Sequence, residues 1–168
     1  MALTPAQLAA LKAEIGADAA LAAKPLNSDG YFEIAQILND TLATPDFFVW
    51  RTNVSVNEIM GNGFDWTRVD NMTVGEARIW EFMTQLGRIN PNLTNVRSGI
   101  NEAFKGTAQD DTMRLAVYTN HLQEKATRIK KLFASGAGTT SSNVGVGPAT
   151  VTVERIDSND VLEARALA

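Results

Sequence analysis

Hydrophobic positions along this chain recur mostly at intervals of three and four, the helical period, and the breaks between runs carry start and stop residues. Thr4-Pro5-Ala6-Gln7 reads as a capping box with proline at the first helical position, ahead of Leu8, Leu11 and Ile15 on one face. Asp18 is placed to cap a short alanine-rich turn that Pro25 ends. Ser28 opens a third segment with Tyr31, Ile34, Ala35 and Leu38 at helical spacing. Thr44-Pro45 starts a turn that carries Phe47, Phe48, Val49 and Trp50.

Ser55-Val56-Asn57-Glu58 is a second capping box, and Gly61-Asn62-Gly63 stops the short helix it opens. Thr73-Val74-Gly75-Glu76 is a third. It leads a helix with Ile79, Phe82, Met83 and Leu86 aligned and Trp80 on a flank, closed by Gly87 and Pro91. Thr94 precedes a helix with Val96, Ile100, Ala103 and Phe104 on one side, which Gly106 terminates. The longest run follows. Thr107 is its cap, and Asp110 and Asp111 lie in the first turn, where the helix dipole favours negative charge. No glycine or proline intervenes before Gly136, which allows about 27 helical residues and roughly 40 Å of rise. Leu115, Tyr118, Leu122, Ile129 and Leu132 give this helix a 3-4 seam that Lys125 interrupts.

Beyond Gly136 the pattern changes. A glycine- and serine-rich stretch to Gly147 reads as a flexible loop, and Ala149 to Ile156 alternates Val and Thr as a strand does. That strand folds back on Val144–Val146 as a hairpin or joins a sheet of a neighbouring subunit. Asp157 or Ser158 then caps a terminal helix with Val161, Leu162 and Ala164. These elements predict a mainly α fold: a helical bundle around one long helix in residues 1–135, followed over 136–168 by a loop, a short β segment and a docking helix.

Composition narrows the chemistry. With 168 residues, 45% of them hydrophobic, the chain can bury a sizeable core, and no apolar run reaches the roughly 18 residues of a membrane helix. The amino terminus shows no charged segment leading an apolar one, so no secretion signal is expected. It has no cysteine, which excludes disulfides, thiol catalysis and thiolate metal sites. The net charge of −4 gives no general attraction to nucleic acid. His121, the single histidine, stands one turn from Glu124 but flanks the seam and lacks a convergent third group, so it reads as a surface or interface residue. The glycine loop follows a helix and lacks a Gly-Lys-Ser/Thr signature, which argues against a phosphate cradle. Asp110 and Asp111 are neighbours pointing about 100° apart on a helix and do not form a dyad by spacing. No catalytic residue, cofactor or metal is expected.

Two groups of residues are candidates for contacts. Phe47, Phe48, Trp50, Leu122, Val151, Val153, Val161 and Leu162 are candidate interface anchors. Lys125, Arg128, Lys130 and Lys131 crowd the end of the long helix, where the dipole favours cations, and are weaker candidates for DNA phosphates.

Several strings resemble those of an uncharacterised family of tailed-phage structural proteins: Pro25-Leu26-Asn27-Ser28-Asp29-Gly30, Phe48-Val49-Trp50-Arg51-Thr52, Glu58-Ile59-Met60-Gly61-Asn62-Gly63-Phe64-Asp65-Trp66, Ala77-Arg78-Ile79-Trp80-Glu81 and Lys131-Leu132-Phe133-Ala134-Ser135-Gly136. The predicted layout also resembles head–tail connector, or head-completion, proteins. The resemblance implies a bacteriophage virion protein acting as a neck adaptor. Its implied partners are a homo-oligomeric ring of its own copies (a dodecamer, for instance), the portal protein, the next neck or tail protein, and DNA in transit. A minor capsid or tail-assembly protein is the alternative.

Overall fold

The computed structural model describes residues 2–61, 63–106, 108–140 and 147–167, with side chains at all of these except 108–111 and 115. Thr107, expected to cap the long helix, and Val144–Val146, expected to form half of a hairpin, lie outside the described residues. So do the side chains of Asp110, Asp111 and Leu115.

In chain order the first half comprises α1 (Pro5–Ala17), α2 (Ala19–Ala22), α3 (Ser28–Asp40), β1 (Phe48–Trp50), β2 (Val54–Ser55), α4 (Val56–Ile59), α5 (Trp66–Asp70) and α6 (Val74–Gln85). The second half comprises β3 (Arg88–Ile89), α7 (Thr94–Ala103), α8 (Ala108–Val117), a π-helical turn (Tyr118–Leu122), β4 (Gln123–Lys125), α9 (Arg128–Leu132), β5 (Ala134–Ser135), β6 (Thr150–Val151) and α10 (Ser158–Ala166). Three two-stranded sheets pair β1 with β4, β2 with β3 and β5 with β6. The fold is therefore mixed α/β, not the expected mainly α bundle around one long helix.

Most of the expected caps form, but the Ser55 box is only half made, because the Glu58 carboxylate pairs with Arg51. Thr4 and Thr73 each form a reciprocal capping box, Ser55 accepts from the amide of Glu58, and Asp18 accepts from the amides of Ala20 and Leu21. Asp157 closes a capping box with Asp160. Two starts differ. Asn27, one residue earlier than expected, caps α3, and Thr94 accepts from Arg97 instead of capping α7.

The long helix is interrupted. Its first part ends in the π-turn, where Thr119, Asn120 and His121 are poor helix formers. The backbone then turns outward to other strands. The amide of Arg51 donates to the Leu122 carbonyl at 2.9 Å, and the amide of Ala126 donates to Phe47 at 2.7 Å. Groups that a continuous helix would spend on its own ladder are satisfied by tertiary partners. Thr127 then restarts the helix as the N-cap of α9, accepting from the Lys130 amide.

The expected division at 135/136 also gives way. The chain forms two compact units, each assembled from separated segments. One comprises Met1–Phe47, Lys125–Ala134 and Val151–Ala168; the other comprises Phe48–Glu124 and Ser135–Thr150.

In the first unit, Leu8, Leu11 and Ile15 of α1 pack with Leu21, Ile34, Leu38, Ile129, Ile156, Val161 and Ala164. Asn39, itself buried, clamps the chain ahead of α10: its side-chain nitrogen donates to the Ile156 carbonyl at 2.8 Å and its oxygen accepts from the Ile156 amide at 3.1 Å. Gly30 lies so close to Pro25 that a Cβ there would sit 2.1 Å from the Pro25 carbonyl oxygen.

The second unit is built on aromatics. Trp80 stacks on Phe64 at 5.6 Å and meets Phe104 edge-on at 5.1 Å, while Trp50 meets Tyr118 edge-on at 5.7 Å. Ile59, Ile100, Val117 and Leu122 fill the space around them. The antiparallel β2–β3 pair sets Val54 opposite Ile89, both buried in this core. Tyr118 is fully buried, its hydroxyl donates to the Arg97 carbonyl at 2.8 Å, and burial pushes that hydroxyl well above its ordinary pKa.

The Val-Thr strand finds its partner within its own chain. Thr150–Val151 pairs with Ala134–Ser135, and Val49 bridges Ala149 in parallel. The amide of Ala149 donates to Phe48 at 2.9 Å and the amide of Trp50 donates to Ala149 at 3.0 Å. The pairing that the sequence left open to a hairpin or a neighbouring subunit is made, from Ala149 to Thr152, within the chain.

Candidate interaction surfaces

Burial removes half of the expected interface anchors. Trp50 (2% exposed), Leu122 (0%), Val151 (6%) and Val161 (0%) are core residues of their units and cannot meet a partner without unfolding them. Phe47, Phe48 and Val153 are half-buried, and Leu162 alone of the group is well exposed. The physical reason is size: units of this kind need their large apolar groups inside.

The four cations do not present a shared free face. Lys125 pairs with Asp46, and Lys130 pairs with Glu154, each at 2.7 Å. Arg128 forks between Glu14 and Asp18 of the α1–α2 corner, both at 2.7 Å. Burial works to lower the Arg128 guanidinium, but the hydrogen bonds it donates to Asp18 and Glu14 prevail and raise it. Lys131 places its ammonium 5.8 Å from the centre of the Phe47 ring. Arg128 and Lys131 line a surface groove of about 610 Å³ with Glu14 and the Thr41–Thr44 backbone. Its cations are committed to carboxylates, to the Phe47 ring and to the Thr44 carbonyl, so phosphate would have to displace them.

His121 is buried, not a surface residue. Glu58, distant in sequence, faces it electrostatically. Glu58 is nevertheless taken by Arg51, which pairs with it and also donates to the His121 backbone carbonyl at 2.9 Å. That guanidinium, followed by the charge of His121, holds the Glu58 carboxyl below its ordinary value against desolvation. A base so engaged is poorly placed to accept a proton from a substrate. Among the described residues no group of three or more His, Asp or Glu side chains could hold a metal ion. No helix among them is long and apolar enough to cross a membrane.

The surface that sequence reasoning missed is on α6. The expected face of Ile79, Phe82, Met83 and Leu86 is rotated: Trp80, assigned to a flank, is buried, while Phe82 is 74% and Leu86 80% exposed. Val74, on the same outward side, is 71% exposed. The rotation follows from the aromatic core, because the Trp80 indole gains contacts with both Phe64 and Phe104. Val74, Arg78, Phe82 and Leu86 therefore form an outward ridge at intervals of four. Beside it a groove of about 380 Å³ runs between α6 and α7, lined by Ile79, Met83, Val96 and Gly99. A Cβ at Gly99 would meet the Met83 sulfur at 3.0 Å, so the absent side chain lets the two helices close on each other. The signal lay in the sequence: Trp80 and Phe82 are about 200° apart on a helix, so one apolar face could not hold both.

No family model, curated protein or solved structure gives a significant match to this chain.

Proposed function

We propose that the protein is a structural component of a tailed-phage virion, of the head–tail connector type, which works by protein–protein contact and carries out no catalysis of its own. The observation that carries the contact role is the apolar ridge of α6. Isolated exposed apolar residues are ordinary, but three on one side of one helix, bordered by an apolar groove, suit an interaction site. The virion assignment rests on the five resembling strings.

Three of those strings hold residues that the fold uses for packing and pairing. Gly30 closes the first against Pro25, Trp50 and Arg51 tie the second into the core and to Glu58, and Trp80 anchors the fourth. In this reading the protein assembles in several copies on the portal and is followed by the next neck or tail protein, with DNA passing without specific contacts. The test is its presence in purified particles. Mass spectrometry of washed virions is expected to find it at a defined, repeated copy number. Its absence from particles that infect normally would contradict the assignment.

A further inference from the structure

We infer that the α6 ridge is a self-pairing surface, on which a second copy of this chain docks with its own α6 antiparallel across a two-fold axis. The inference rests on the reading of α6 as a contact face and names its partner. A two-fold contact requires one surface to complement itself, so every group needs its complement on the same patch. Helix α6 meets that condition in charge and in shape. Arg78 and Glu81 are both exposed, lie three residues apart on the outward side, and have no ion-pair partner among the described residues. The Glu81 carboxylate receives only a 3.4 Å hydrogen bond from Gln85 one turn along.

Laid antiparallel about a point between Ile79 and Trp80, the two helices bring Arg78 of each copy opposite Glu81 of the other, which forms two equivalent ion pairs. The same register brings Phe82 of each copy towards the open side of Gly75 of the other, a large ring beside a residue with no side chain. Val74 and Leu86 extend the apolar contact towards the two ends of the helix. Rows spaced by four residues are the ridges that interlock in the commonest class of helix packing. A parallel arrangement would set Arg78 beside Arg78 and Glu81 beside Glu81, which repel. The charges thus select the antiparallel pair as well as supporting it. Such a pair closes at two copies, so it describes the free protein, and a ring would be built through other faces.

Light scattering coupled to size exclusion, together with sedimentation of the full chain, tests the pairing. The wild type is expected at twice the 18.2 kDa chain mass, and Phe82→Asp and Phe82→Ser as monomers with unchanged far-ultraviolet circular dichroism. Arg78→Glu and Glu81→Arg should each weaken association about tenfold, and the double variant should restore it to within about threefold, because the swap rebuilds both pairs. A monomeric wild type, a dimer that survives Phe82→Asp, or a double variant no stronger than the singles would each overturn the proposal. So would a monomer that binds purified portal protein through Phe82, which would give the face to that partner. A dimer formed by a protein absent from virions would uphold this inference while removing the virion reading, so the two fail separately.

Discussion

Arg128 shows how one side chain can be assigned correctly by type and wrongly by purpose. Its position near a helix end suits the dipole, and the cluster around it suggested phosphate. In the fold it reaches α1 and the cap of α2, joining Glu14 and Asp18. The partners are more than a hundred residues away in sequence, so no local pattern announces them. The pairing has a consequence for pH. The Asp18 carboxyl is held below its ordinary value of 3.8, first by the hydrogen bond from Arg128 and then by the Leu21 amide, with desolvation opposing. A carboxyl lowered in the folded state contributes stability that is fully present above its unfolded value and is lost as pH falls through the folded one. Urea midpoints measured across the acid range should therefore decline more steeply in the wild type than in Asp18→Asn. Equal slopes would show that the pairing contributes nothing. His121 gives the complementary lesson: its isolation in the sequence was legible, but its burial beside Glu58 and Arg51 was not.

At the scale of elements, starts are legible and continuity is not. Thr4, Asp18, Ser55, Thr73 and Asp157 all cap helices, since a cap is a local event within four residues. The run from Ala108 to Ala134 has no glycine or proline, yet it splits into a helix, a π-turn, a strand and a second helix. Local propensity loses there to backbone bonds with Arg51 and Phe47. Helix α6 makes the point quantitatively. On the sequence pattern Phe82 belongs to the core and Trp80 to the flank, and the fold reverses them. Trp80→Ala should cost about 3–5 kcal/mol, as removal of a buried tryptophan does. Phe82→Ala should change stability by no more than about 0.5 kcal/mol, as exposed positions do. Denaturant unfolding of both variants below the association range checks the pair, and a larger loss at Phe82 than at Trp80 would restore the original orientation of the helix.

For the whole molecule, two compact units with separate cores replace the bundle and appended tail that the pattern suggested. Each unit gathers segments from distant parts of the chain, and such closures leave no periodic trace in a sequence. The carboxyl-terminal third illustrates this: its strand pairs with Ala134–Ser135 and its helix packs with Leu11, Ile34 and Leu38, instead of projecting as a docking arm. What remains for partners is the surface, where α6 exposes Val74, Phe82 and Leu86 on one side of one helix. The central proposal is that the protein serves the assembly of a phage particle by contact. The most direct measurement is electron microscopy of lysates from a phage in which this protein is conditionally withheld. The account predicts filled or emptied heads and complete tails lying unjoined, with infectivity recovered when the wild-type protein is supplied. Joined, infectious particles formed without the protein would contradict it.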